Sequence, residues 1–445
     1  MPWCVAGLLA MLFLVPFDSI ELGVSLPFDA KLDRLALVGC LVLWALVAST
    51  RTGPSRDGGH RFGAPETLLV VFALVCFASV LVNLSSLQRL NETDLAVRKL
   101  VLLATYVAFF VFVVSNVRRT EVRAFCVLLV ALAVVAAVGT IVEYRTLFNV
   151  FYSVAGAVAP PGVRVSPHAT VVTPDGRVDV SGPTRHGLAM ATMLAMSLPF
   201  ALVGATATER SGTRILAVVA AALIFLGGLS TVRRSGVVLP FVAVTFLFVF
   251  GGRRMVPVVL VFGVLLLATP FLAPGAASSL AAQLQGRNVG AQQSISGRTS
   301  DYGAVVPDLR HRAVLGRGFG TYDARRYRFL DNQALGLLIE TGALGLAAYV
   351  ALLLAGIVAA LRVARQRGGE EGWAALAAAA AIAVFLVAGV LFDVLSYAHA
   401  PYLLLMVLAL ALVGRRHPDC VDDPVADGAP DRAPGQSPDR VAARA

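Results

Sequence analysis

Lysine is nearly missing from this chain. Of its 37 basic residues only Lys31 and Lys99 are lysines. The others are arginines, which hold their charge and grip phosphate in a bidentate way. Genome base composition produces the same bias, and the two readings carry equal weight. Charge of any kind is scarce: 14% of the residues are charged, too few for a soluble globular or a disordered protein. No basic block is interleaved with aromatics, so the net charge of +10 is not a nucleic-acid signal. Cys4, Cys40, Cys76, Cys126 and Cys420 show neither CxxC nor metal-ligand spacing, so neither disulfides nor a metal site nor another cofactor is expected. Residues 3–17 lack the basic flank and the cleavage site of a secretory leader, and read as a first, short membrane helix.

What the chain does have is long apolar runs, 58% of it being hydrophobic. A spanning helix needs about 20 such residues. Twelve runs qualify: 3–17, 34–50, 66–84, 98–115, 122–142, 187–205, 213–230, 235–251, 255–273, 334–361, 373–392 and 398–414. The fold class is therefore an all-α polytopic membrane protein with about 12 transmembrane helices. Residues 1–273 form an N-terminal bundle of about nine helices that includes an outer loop at 143–186. A large, partly helical extracytoplasmic loop follows at 274–333, between helices nine and ten. Helices ten to twelve occupy 334–414. The tail 415–445, rich in Pro, Asp and Ala, reads as disordered and cytoplasmic.

Arginines orient the bundle. With the N-terminus inside, every short inner loop is basic: Arg51, Arg56 and Arg61; Arg118, Arg119 and Arg123; Arg210 and Arg214; Arg253 and Arg254; Arg362, Arg365 and Arg367. Both termini are then cytoplasmic. The loops 143–186 and 274–333 also carry arginines, but long loops cross regardless of charge. The very short outer turn with Arg233 and Arg234 opposes the rule locally, which points to an anionic partner there.

The chemistry gathers on the outer face. A cluster of fixed cations without a matching acidic cluster suits a phosphate or diphosphate, with lipid headgroup contact as the plainer reading. GRGFGTYD at 316–323 places Gly316, Gly318 and Gly320 in what reads first as a tight turn, or as a close backbone approach to a ligand. Asp331 or Asn332 would cap helix ten, with Leu330 and Leu335 as a hydrophobic staple. Its positive end would also favour an anion. Leu335, Leu338, Gly342 and Gly345 lie within about 40° of the Asp331 direction, the glycines allowing close helix packing. Glu340 points roughly the other way and must face protein or water. His186 reads as structural. Asp18 and Glu21 are too few for a convincing metal site, and the Asn91-Glu92-Thr93 sequon is of a kind common by chance.

This arrangement resembles the O-antigen ligase and polymerase superfamily of bacterial inner-membrane glycosyltransferases, over roughly residues 180–350. The ligase pattern is a His, then Asn, Ser or Gln, nine residues, and Gly-x-x-Gly. Here Asp331-Asn332 precedes nine residues and then Gly342-Ala343-Leu344-Gly345, with Asp in place of His. STVRRSG at 230–236 resembles the family's arginine signature and aligns Arg234 with it, beside Arg233. Ser296-Gly297-Arg298 and Gly316-Arg317-Gly318-Phe319-Gly320 resemble its loop arginine and glycine turn. The resemblance implies a metal-independent transferase in the bacterial cytoplasmic membrane, using a glycan carried on polyprenyl diphosphate and a glycan or other acceptor. Asp331, assisted by Asn332, would activate the acceptor hydroxyl. Arg234 and Arg298, with Arg233 and Arg317, would hold the diphosphate. The His-to-Asp change favours a polymerase over a ligase. A transporter or flippase of the lipid-linked glycan, and a non-catalytic scaffold, are the rival classes.

Overall fold

In lipid a backbone N–H or C=O has no water to bond, so an apolar run must satisfy its own peptide groups as a helix. The computed structural model describes residues 1–22, 31–50, 63–166, 170–172, 178–208, 210–272, 312–323, 326–327, 330 and 332–415. Each of the twelve expected spans coincides with a helix. The order begins α1 (Pro2–Leu14), α2 (Leu32–Thr50), α3 (Ala64–Val82), α4 (Leu84–Arg89), α5 (Thr93–Asn116) and α6 (Val122–Thr146). It continues with α7 (Val150–Val158), α8 (Gly187–Ala207), α9 (Ser211–Ser230), α10 (Ser235–Gly251) and α11 (Val256–Leu272). The last three are α12 (Gln333–Gln366), α13 (Gly369–Leu391) and α14 (His399–Val413).

Among the described residues nine helical stretches are long and apolar enough to cross a membrane, and Pro2–Leu14 and His399–Val413 are apolar but shorter. One of the nine is the stretch Ser235–Thr269, in which Gly252, at φ 63° and ψ −150°, separates α10 from α11. The protein is an all-α polytopic membrane protein. Its burial pattern fits that environment: 89% of the best window of α8 is buried, against 11% for α2. On the peripheral α11, Leu260 and Leu267 are 64% and 77% exposed, a bare apolar surface that lipid covers.

α8 packs against α9, α10 and α13, while α12 lies between α13 and α3. One end of the bundle is rich in arginine. Arg119 meets Glu371 at 2.6 Å and Arg123 meets Glu370 at 2.7 Å. The other end carries the longer connections. There β1 (Ile20–Leu22) pairs antiparallel with β2 (Val163–Val165), Glu21 opposite Arg164. A second pair, β3 (Val171–Val172) with β4 (Val178–Asp179), follows it. The outer loop 143–186 thus contains short strands, and also α7, which was not foreseen. Asn149 starts α7 by accepting from the backbone N–H groups of Phe151 and Tyr152. The buried Glu143 carboxylate gathers the far side of this connection, accepting from Gly182 N at 2.8 Å and Thr170 Oγ1 at 3.1 Å.

Residues 1–51 and 62–416 make up one contact unit. Arg298, Asp331, most of the loop 274–333 and the tail from 416 lie outside the described residues.

Candidate functional site

The glycine-rich run folds as a loop laid on a break in α12. Gly316, Gly318 and Gly320 have φ of 63°, 127° and 74°. α12 itself is interrupted at Gly342, with φ 67° and ψ −169°, a region essentially closed to residues with a Cβ. A break inside a membrane helix frees peptide groups that must find partners. The loop supplies them. Arg317 N donates to Ile339 O and Gly318 N to Glu340 O, both at 2.9 Å. Ala343 N donates to Ala313 O at 2.8 Å and Leu344 N to Val314 O at 3.3 Å. From α3, the Ser79 hydroxyl lies 2.6 Å from Leu315 O and 2.7 Å from Glu340 O. Asn83 Nδ2 donates to Gly316 O at 3.1 Å.

Gly342 and Gly345 therefore serve differently from the smooth packing face expected for them. A Cβ on Gly342 would overlap the Val314 carbonyl, and one on Gly345 would overlap the Thr341 side chain. The helical wheel assumed 100° per residue through the run, and a positive φ in the middle resets the direction.

Above this break lies a cavity of about 700 Å³, within the range of small-molecule sites. Its walls are mixed. Leu69, Phe72, Leu352, Leu404 and Leu405 make an apolar side. Lys31, Lys99 and Arg185 bring cations, and Asp18, Asp323, Glu340 and Asp393 bring carboxylates. Leu330, Asn332, Gln333 and Gly336 contribute the start of α12. Asn332 and Glu340 share one cavity because eight helical steps separate their directions by only about 80°.

The polar groups at the start of α12 and around the cavity are held in place. Asn332 is the helix cap, its Oδ1 accepting from Ala334 N at 2.9 Å and Leu335 N at 3.2 Å. Leu330 and Leu335 are buried in one cluster with Ile339, and Tyr322 packs against it; with Asn332 as the cap they stand one place off the staple positions, which Asp331 as the cap would have given them. Gln333 Oε1 accepts from Leu395 N at 2.8 Å, which ties the α13–α14 connection to α12. Glu340 Oε1 accepts from Tyr322 N at 3.0 Å. Asp18 lies 3.1 Å from His399 Nδ1, and that imidazole stacks on Phe17 at 3.9 Å. Burial alone would raise the Asp18 carboxyl, but His399, Lys31 and Arg185 hold it below the usual carboxylate range. Burial pushes the Asp393 carboxyl up, against the pull of Lys99 and the hydrogen bonds from Ser396.

Three of the arginines singled out in the sequence are elsewhere. Arg317, Arg233 and Arg234 do not line the cavity. Arg317 donates to the fully buried Glu92 at 2.9 Å and lies 4.0 Å over the Tyr327 ring. Arg233 pairs with Asp179. Arg234 opens α10 after Val232, which has a φ of 50°. His186 caps α8, its Nδ1 accepting from Leu188 N at 3.2 Å, as its structural reading held. Of the residues singled out in the sequence, the structure brings Asn332, Gly320, Glu340, Asp18 and Leu330 to the cavity, and Gly318 to the loop behind it.

Sequence reasoning did not select Lys99, Lys31, Arg185 or Asp393. The signal for the first two was present: they are the chain's two lysines, and both line this cavity. The arrangement can hold a molecule with an apolar portion and an anionic head, with carboxylates in the same wall. No protein-family model and no curated protein matches the sequence.

Proposed function

We propose that this chain is a membrane glycosyltransferase that polymerises or ligates oligosaccharide carried on polyprenyl diphosphate, at the outer face of the bacterial cytoplasmic membrane. Lengthening of a surface polysaccharide is the favoured reaction. The observation that carries the reading is the cavity. It combines an apolar wall for a lipid chain, three cations for a phosphate head, and the start of the helix that bears the ligase-like motif. The twelve-span topology with both termini in the cytoplasm, proposed from the arginine pattern, places this end of the bundle outside.

In the proposed reaction an acceptor hydroxyl attacks the anomeric carbon of the donor. The bond from that carbon to the diphosphate oxygen breaks, and lipid diphosphate leaves with the electron pair. A base takes the hydroxyl proton, and cations offset the charge that grows on the leaving group. Asp331 is the proposed base; its chain neighbours Leu330 and Asn332 both line the cavity. The Asn332 side chain caps the helix and would hold that turn in register. The test is Asp331→Asn, which keeps a residue able to cap. Membranes carrying this variant should yield at least about a hundredfold less glycan product, the usual weight of a general base. Wild-type yield would remove Asp331 from the chemistry.

One observation favours transport instead. Glu340 is an ionisable group inside a membrane helix and lines a cavity, as proton-coupled carriers require. Its carboxylate is held by the glycine loop through Tyr322 N, a fixed anchor rather than a moving relay, and this favours the enzyme.

A further inference from the structure

Three cations face the cavity from three places far apart in sequence. Lys31 stands just before α2, Lys99 in the second turn of α5, and Arg185 just before α8. Among the described residues none of the three has a carboxylate within ion-pair distance. Lys31 Nζ donates to the backbone oxygen of Asp18 at 3.3 Å. The carboxylates of the same cavity are engaged otherwise. Asp18 meets His399, Asp393 accepts from Ser396, and Glu340 accepts from Tyr322 N; Asp323 has contacts of its own.

Lys31 and Lys99 are partly buried and Arg185 is exposed. The carboxylates of Asp18 and Asp393 act on them through space without closing ion pairs, so an anion between them would complete contacts that the protein leaves open. The cavity also holds unmet hydrogen-bond demand. Tyr106 and Tyr349 both line it, are 7% and 5% exposed, and have hydroxyls with no hydrogen-bond partner among the described residues. Buried polar atoms left in this state call for an explanation. A bound ligand answers both demands, with anionic oxygens for the cations and acceptors for the phenols.

We propose that Lys31, Lys99 and Arg185 form an anion subsite in this cavity that takes a phosphate or diphosphate group, in place of the arginines at 233, 234 and 317. The subsite deepens the transferase reading and rests on it for the identity of the donor; binding of the anion stands without it. Lysine suits the task. Its ammonium is a compact charge with three rotatable donors, and Gly320 gives it room, since a Cβ at that position would overlap the Lys99 side chain. The apolar wall beside the subsite, with Phe72, Leu404 and Leu405, would accept the first units of a lipid chain.

The test is binding to the full chain in nanodiscs of neutral phosphatidylcholine. The probes are inorganic pyrophosphate and a short polyprenyl diphosphate, and the variants are Lys31→Met, Lys99→Met, Arg185→Met and Arg234→Ala. Each of the first three should weaken binding by about ten- to a hundredfold, the weight of one charge-assisted hydrogen bond. Arg234→Ala should bind as wild type, and Lys99→Arg should recover most of the affinity. Tighter binding of the polyprenyl compound identifies a lipid headgroup, and equal binding identifies a free phosphate compound; either supports the subsite. No saturable binding of either probe by wild type overturns it. So does binding lost in Arg234→Ala while the lysine variants behave as wild type. Because three separate elements contribute, misfolding of one variant leaves two to decide. Binding without glycan transfer would refute the transferase reading and leave the subsite; transfer with donor affinity indifferent to both lysines would do the reverse.

Discussion

Glu92 is fully buried, and Arg317, Arg326 and Tyr327 answer its charge. Arg317 adds a cation–π contact with Tyr327, and although burial opposes its charge, Tyr327 and Glu92 hold its proton more firmly than usual. A residue so placed is a brace for the 312–327 loop. Removing one partner of a buried pair strands the other charge, at about 3–5 kcal/mol. Arg317→Met should therefore lower the unfolding temperature of the detergent-solubilised protein while the folded fraction still binds pyrophosphate. Normal stability with lost binding would return Arg317 to the ligand. The string RGFG could not reveal this, because Glu92 lies 225 positions away. Asn332 was legible: a short polar side chain before an apolar run is a strong cap signal, and it caps α12.

The break in α12 is the element on which the site is built. Half of it was readable in the sequence. The spacing from Asp331-Asn332 to Gly342 and Gly345 marked the run as unusual. Yet continuous hydrophobicity through 333–366 gave no hint that the helix is interrupted, since lipid-facing periodicity does not register one residue's φ. What decides the break is tertiary: Ser79 of α3 and the 313–318 backbone take up the freed peptide groups, and Asn83, just after α3, holds the loop at Gly316 O. Gly342→Ala places a Cβ against Val314 O and forces a backbone conformation that costs about 1–3 kcal/mol. It should detach the loop, seen as faster proteolysis within 312–327 and as a lower unfolding temperature. Unchanged proteolysis and stability would mean that the loop does not depend on the break.

For the molecule as a whole, the helices were legible because an apolar run of about 20 residues has one stable form in lipid. The cavity was not, because its wall draws on residues 18, 31, 99, 185, 340 and 393, which no motif links. Sequence spacing can find groups on one helix; it cannot say which loops meet above it. On the proposed reading the phosphate site is built from the chain's two lysines and Arg185, which line one cavity although no motif joins them. The central claim is that the cavity carries out glycosyl transfer. It is tested most directly in proteoliposomes loaded with a polyprenyl-diphosphate oligosaccharide, by following glycan length and the release of lipid diphosphate. The expected result is glycan growth or transfer to an added acceptor, with one lipid diphosphate released for each bond formed. An intact donor that has merely crossed the bilayer would contradict the account.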